Sequence, residues 1–139
     1  MNSKLIEFNE RLKKSRIAII GIGVSNLPLL DYLYELGADV TIFSDKKIEV
    51  DLSKYNYKVY EDGLSLLNGF DIIFRSPGCL PTRSEIVKEK ERGCYVTTEV
   101  QEVIKLTPSK VIGVTGSDGK TTTTTLIDLV LRSSGYKTF

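Results

Sequence analysis

The apolar run Ile17-Ala18-Ile19-Ile20 stops at Gly21-Ile22-Gly23 and gives way to a helical period, and this junction limits the folds open to the chain. A run without polar alternation reads as a strand buried on both faces, the condition of a parallel sheet covered by helices. The helix that follows has Leu29, Leu33 and Leu36 on one face with Leu30 beside them. Ser25 or Asn26 stands where a cap belongs, Pro28 fits the first turn, and Gly37 fits the C′ position. Ahead of the run, Leu5, Phe8 and Leu12 recur at i, i+3 and i+7, predicting an amphipathic helix over residues 3–14.

The same alternation continues. Asp39 to Phe43 reads as a second strand, Tyr57 to Tyr60 as a weaker third, and Leu64 to Leu67 as a short helix or turn. Asp71-Ile72-Ile73-Phe74 is a further buried strand, ending in Arg75-Ser76-Pro77-Gly78. Thr82 and Glu85 have capping-box spacing ahead of a helix that Gly93 closes, and Tyr95 to Thr97 is a fifth strand. Thr98 and Gln101 repeat that spacing, with Val100, Val103 and Ile104 as the expected buried face of the next helix. Strands alternating with helices imply right-handed crossovers between parallel strands. The expected fold is α/β, a Rossmann-like doubly wound parallel sheet of about five strands.

Thr107-Pro108-Ser109 then interrupts the pattern. Beyond it, Val111 to Val114 reads as a strand, Thr115 to Gly119 as a glycine-bearing loop and Lys120 to Ser134 as a helix. One β-α unit cannot cover both faces of its own strand. The expected organisation is therefore a domain over residues 1–106, a linker over 107–110, and over 111–139 the start of a truncated second domain.

Composition removes several function classes. The chain of 139 residues carries 19 Lys plus Arg against 18 Asp plus Glu, a net charge of +1, which gives no support to a nucleic-acid or anionic-membrane surface. It has no histidine, so His-based triads and His-ligated metals are excluded, and two cysteines cannot build a disulfide framework. No apolar run is long enough to span a bilayer, and the start MNSKLIEFNERLKK lacks the apolar core of a secretory signal. The expectation is a cytoplasmic domain with neither a nucleic-acid nor a membrane partner.

Four places carry chemistry. In Gly21-Ile22-Gly23-Val24-Ser25-Asn26, Gly21 permits the tight turn and Gly23 lets a phosphate approach the backbone. Val24, Ser25 and Asn26 lead into a helix N-terminus, whose free N–H groups and positive dipole end suit an anion. Asn26 stands where a dinucleotide fingerprint wants its third glycine, which weakens an NAD reading. Asp45, just past the second strand, is placed to accept hydrogen bonds from a ribose or base, and Lys46 follows it into the same candidate site, though Lys46 and Lys47 also read as solvated charge. Ser76-Pro77-Gly78 lies at another strand's carboxyl end, where a hydroxyl and an N–H could meet the same phosphates, although alone it is only a turn.

The fourth place is the most specific. Thr115-Gly116-Ser117-Asp118-Gly119-Lys120-Thr121-Thr122 sets Gly-Lys-Thr between a strand and a helix. In such a loop the amides cradle phosphates, the lysine offsets β/γ charge, and the first threonine hydroxyl ligates Mg²⁺. Val114 replaces the first glycine of the general pattern, so the loop is a variant.

That variant resembles the ATP-binding loop of the Mur ligase family, whose usual form is T-G-T/S-N/D-G-K-T/S. The Gly21-x-Gly23-x-Ser25 turn, the Ser76-Pro77-Gly78 loop and Thr98-Glu99 before a helix extend the resemblance along the chain. It implies a UDP-binding N-terminal domain, a central ATPase domain and a C-terminal domain for the amino acid, the last two largely missing from these 139 residues. It further implies that Val24-Ser25 and Ser76-Pro77-Gly78 hold a diphosphate, that Asp45 meets uridine, that Lys120 binds ATP and that Thr121 binds Mg²⁺. The reaction so implied phosphorylates the carboxylate of UDP-N-acetylmuramoyl-L-alanine, and the amine of D-glutamate then attacks the acyl phosphate. Two other readings stay open on the residues alone: a stand-alone Rossmann module binding NAD or UDP, which leaves Gly119-Lys120-Thr121 unused, and a truncated P-loop kinase, which leaves the first domain unused.

Overall fold

The computed structural model describes residues 2–23 and 26–139. Two compact units divide the chain, Met1–Pro108 and Ser109–Phe139. In the first, elements run α1 (Ser3–Lys14), β1 (Arg16–Ile20), α2 (Leu27–Glu35), β2 (Asp39–Ser44), β3 (Lys58–Glu61), β4 (Ile72–Arg75), α3 (Ser84–Glu91), β5 (Tyr95–Thr97) and α4 (Glu99–Leu106). Single 3₁₀ turns, Ser53–Tyr55 and Leu64–Leu66, precede β3 and β4. The sheet order is β3-β2-β1-β4-β5 and every pairing is parallel. The expected five-stranded, doubly wound α/β architecture is present, with the chain reversing its direction of growth between β1 and β4.

Alternation along the strands explains the two cores. Ile17 and Ile19 point to one face, where they meet Leu12, Leu29, Leu30, Leu33, Val40, Ile42 and Phe74. Ala18 and Ile20 point to the other, with Phe43, Leu64, Phe70, Ile73 and Ile86. Helices α1 and α2 thus cover one side, and α3 with the Leu64–Leu66 turn covers the other. Glycine at 37 (φ +70) ends α2 in a Schellman arrangement: its N–H donates to Tyr34 O at 3.0 Å and the Ala38 N–H to Leu33 O at 3.0 Å.

Four local expectations are corrected. Asn26 occupies the N-cap position of α2 but is itself helical (φ −89, ψ −9), so its side chain cannot fold back onto the first amides; instead Nδ2 donates to Gly21 O at 2.6 Å. Thr82 does not cap α3. Residues 81–82 form a turn closed by the Arg83 N–H on Leu80 O at 3.3 Å, which makes extended Arg83 the N-cap residue and leaves apolar Ile86 at N3. Val100, Val103 and Ile104 do not face the core, each being at least half exposed, and the residue that α4 buries is Glu102. The Thr98–Gln101 capping box forms as expected. Glu102 Oε1 then accepts from the Tyr95 hydroxyl at 2.7 Å, from Lys105 at 2.9 Å and from the Thr97 hydroxyl.

The fourth correction concerns the second unit. Residues 111–114 are not a strand, because no neighbouring chain segment among the described residues supplies a ladder. Helix α5 (Lys120–Ser133) forms as expected and buries none of its residues. Its threonine run is accommodated by back-bonding within the helix: Thr124 Oγ1 donates to Lys120 O at 2.8 Å and Thr125 Oγ1 to Thr121 O at 2.9 Å.

Two outcomes follow for stability. Leu33 is fully buried between α2 and the sheet, so Leu33→Ala should cost about 2–5 kcal/mol, read as a lowered urea midpoint. For Glu102, burial works to raise the carboxyl pKa, but hydrogen bonds from Thr97, Tyr95 and Lys105 outweigh it and hold the group below its ordinary 4.5. A depressed folded-state pKa stabilises the fold above the unfolded value, and that stabilisation is lost as pH falls through the folded value. Glu102→Gln should therefore lower stability at pH 7 and flatten its decline below about pH 4.5, measured by urea melts across pH.

Candidate functional site

The ladder registers bring Ile20, Phe43 and Arg75 to one level across β1, β2 and β4, so the segments after them emerge together at the carboxyl edge of the sheet. Gly21 continues β1 by one bond, its N–H donating to Phe43 O at 2.7 Å, and Ser76 continues β4, its N–H donating to Ile20 O at 2.8 Å. Gly21 has φ +79, and a Cβ there would lie 2.6 Å from Ser76 Oγ and 3.2 Å from Ser76 Cβ. Glycine is required twice over, by the backbone conformation and by the approach of the Ser76 side chain. At Gly23 and Gly78 a Cβ would meet nothing within 4 Å, so both loops face open space.

Asn26 is nearly fully buried and spends its amide on Gly21 O, which makes it a brace for the turn. The candidate residues Val24 and Ser25 lie outside the described residues. Ser44 Oγ donates to Lys46 O at 2.6 Å and accepts from the Lys46 N–H at 3.2 Å, shaping the turn that presents Asp45. The Asp45 carboxylate is paired with the Arg83 guanidinium, and the Lys46 residue is exposed. Across β4, Ser76 O accepts from the Cys79 N–H at 3.0 Å, and Arg75 Nη1 donates to Cys79 O at 3.0 Å, so both close the Ser76-Pro77-Gly78 turn. Burial at Cys79 pushes its thiol pKa up, in keeping with an inert cysteine.

Asn26, Arg75, Pro77, Thr98, Glu99 and Val100 line a cleft of about 290 Å³ at this edge. Ligands of open α/β sheets gather where the strand order reverses, here between β1 and β4. Burial holds the Glu99 carboxyl above its ordinary pKa. A slightly larger hollow of about 350 Å³, among Arg11, Gly69, Asp71, Arg92 and Cys94, sits at the amino edge of the sheet, away from the glycine turn. Sequence reasoning missed Arg75 and Arg83 as members of this edge. Nothing in the sequence signals a pairing between Asp45 and an arginine 38 positions away.

The second unit carries the other candidate residues. Gly119 is left-handed (φ +73) and is the N-cap of α5, where no side chain caps the helix. Lys120 Nζ curls over the Thr115–Gly119 segment and donates to Gly116 O at 2.6 Å and Ser117 O at 3.0 Å. Thr115, Ser117, Asp118, Thr121 and Thr122 are all exposed along the same loop and first helical turn. An uncapped helix start with a lysine beside it has the chemistry of a phosphate cradle. No group of three or more His, Cys, Asp or Glu residues that could hold a metal exists among the described residues. None of the described helices is long and apolar enough to cross a membrane.

The whole chain is 45% identical over 148 aligned positions to the UDP-N-acetylmuramoylalanine–D-glutamate ligase of Clostridium botulinum (strain Okra / Type B1) and covers 32% of that protein. Against the ligases of the same name from Acetivibrio thermocellus and Ruminiclostridium cellulolyticum, identity is 46% and 47%, over 99% of this chain and 31% of each of those proteins. No family model matches the chain. It spans about a third of the length of these curated relatives, and the match takes in 99–100% of the chain.

The two left-handed glycines at 21 and 37 offer an internal comparison. Gly37→Ala meets open space and should cost about 1–2 kcal/mol from backbone strain alone. Gly21→Ala adds the clash with Ser76 and should cost measurably more in paired urea melts, and Ser76→Gly in the Gly21→Ala background should recover part of the difference.

Proposed function

We propose, from this whole-length homology to D-glutamate ligases of the Mur family, that the chain is the N-terminal part of such a peptidoglycan-precursor ligase working in the cytoplasm. The observation that carries the reading is that the identity runs across both units, so it takes in the strand-end turns and the Gly119-Lys120-Thr121 loop alike.

In this reading residues 1–106 bind the UDP moiety of UDP-N-acetylmuramoyl-L-alanine. Gly23, Val24, Ser25 and Asn26, with Ser76, Pro77 and Gly78 after β4, hold its diphosphate. The diphosphate lies against the start of α2, where amides and dipole favour negative charge. Asp45 and Lys46 form the uridine end. Residues 111–139 open the ATPase domain: the amides from Thr115 to Thr122 surround the phosphates of ATP and Lys120 offsets their charge. Lys120 must leave the carbonyls of Gly116 and Ser117 to do so. The Thr121 hydroxyl supplies one ligand to Mg²⁺. The phosphoryl group of ATP activates the substrate carboxylate for attack by D-glutamate. In this reading the D-glutamate acceptor is held by regions of the ligase other than residues 1–139, so these residues by themselves position no nucleophile.

Titration calorimetry of the 139-residue chain tests the first site: UDP should bind more tightly than NADH, since Asn26 fills the place of the third fingerprint glycine. Tighter NADH binding supports a stand-alone dinucleotide module instead. In the complete ligase that this reading requires, Lys120→Ala should abolish amide formation and leave affinity for the UDP-linked substrate within about twofold, because separate sites respond additively.

A further inference from the structure

The amino edge of the sheet gathers three guanidiniums that the carboxyl-edge site does not use. Arg11 and Arg92 line the same hollow of about 350 Å³, with Asp71 and Cys94 beside them. That volume is in the range of small-ligand pockets. Arg16 stands next to Arg92: at Gly69 (φ +78) a Cβ would lie 3.4 Å from Arg16 Nη1 and 3.8 Å from Arg92 Nη2. Cys94 reports the same grouping, since its thiol, pushed up to about 11 chiefly by burial, also feels Glu89, Asp71, Arg92 and Arg11. The two carboxylates of the group are already engaged. Glu89 Oε2 accepts from the N–H groups of Gly69 at 2.9 Å and Phe70 at 3.1 Å, and its Oε1 accepts from Arg92 Nη1 at 2.7 Å. Asp71 Oδ2 accepts from the Arg16 N–H at 2.7 Å. The cations are less fully used. Arg16 Nη1 donates to Gly69 O at 3.0 Å, and the Arg11 guanidinium lies 4.5 Å over the Tyr95 ring with no ion pair among the described residues.

We propose that this hollow is a binding site for the phosphate group of a small anionic ligand, held by Arg11 and Arg92. Three cations against two engaged carboxylates leave one positive charge in excess, and Arg11 brings five donors that no carboxylate shares. Arg92 keeps donors after Glu89 and Asn68 have taken its Nη1. A phosphate has several acceptor oxygens, so one group can meet both guanidiniums with charge-assisted hydrogen bonds. The hollow lies at the opposite edge of the sheet from the Gly21 turn, so its occupant does not compete with a ligand there. The inference is independent of the reading of residues 1–106 as a UDP site.

The test is a titration of the 139-residue chain with inorganic phosphate and with glycerol phosphate, followed by the amide resonances of Gly69 and Gly93, which line the hollow. Both probes should shift these resonances saturably, and added sodium chloride should weaken the binding, since exposed charges are screened. Arg11→Met should weaken it about tenfold, Arg11→Glu should abolish it, and Arg11→Lys should retain part of it. Arg11 is exposed and its loss leaves no buried charge unpaired, so the urea midpoint should move little in each variant. The shifts that UDP causes at Gly23 and Gly78 should be unchanged by Arg11→Met, because separate sites respond independently. Tighter binding of glycerol phosphate identifies the ligand as a phosphate ester and equal binding as the free ion, and either result supports the site. Absence of saturable shifts at Gly69 and Gly93, shifts confined to Gly23, Gly78 or Gly119, or an affinity unchanged in Arg11→Met and Arg11→Glu overturns the proposal. Phosphate binding at Gly69 and Gly93 in a chain that shows no response to UDP overturns the UDP reading alone.

Discussion

The Ser76 side chain occupies the space in which any residue other than glycine at position 21 would carry its Cβ. This contact joins β1 to β4 at the point where the sheet changes its direction of growth, and the candidate site depends on it. With Gly21 and Ser76 pressed together, the two loops leave the sheet as neighbours, and the ladder bonds Gly21 N–H to Phe43 O and Ser76 N–H to Ile20 O bring the end of β2 to the same level. Asn26 then fastens the α2 start to Gly21 O. The edge is thus rigid at its base and open above Gly23 and Gly78, the combination that a backbone-lined anion site requires.

The frame itself was legible because its cause is local. Two-sided burial forces uninterrupted apolar runs at Ile17–Ile20 and Ile72–Phe74, and glycine at 37 is demanded by a left-handed helix end. What escaped the sequence depended on neighbours distant along the chain. The Val100, Val103 and Ile104 spacing describes an amphipathic helix correctly, but periodicity cannot say which face meets the protein. A buried Glu102 with three donors decided the rotation. Thr82 and Glu85 have the right spacing for a cap, yet Pro81 diverts the chain into a turn first. Val111–Val114 has strand composition and no partner, and a strand exists only as part of a ladder.

The candidate site divides along the same line. The glycines, Ser76 and the Gly119-Lys120-Thr121 segment were readable because turn and loop chemistry is encoded in consecutive residues. Arg83 and Arg75 were not, since their importance comes from what the sheet order places beside them. Asp45 is the instructive case. Its position after β2 marks it as a candidate nucleotide ligand, and the structure adds a guanidinium partner on one of its oxygens that the sequence could not signal.

That pairing bears on how a nearly neutral chain could hold polyanionic ligands. A net charge of +1 creates no long-range field to draw phosphates in, so attraction must come from groups within a Debye length of the bound anion. Two cations near the candidate segments are held in different ways. Lys120 lies at the uncapped start of α5, where left-handed Gly119 takes the N-cap position. Arg83 lies in the loop between β4 and α3, paired with the carboxylate that follows β2. Each is already hydrogen-bonded within the protein, Lys120 to carbonyls and Arg83 to Asp45. A phosphate bound in the Thr115–Gly119 loop would compete with the carbonyls of Gly116 and Ser117 for Lys120, so that loop would have to reorganise to use its lysine.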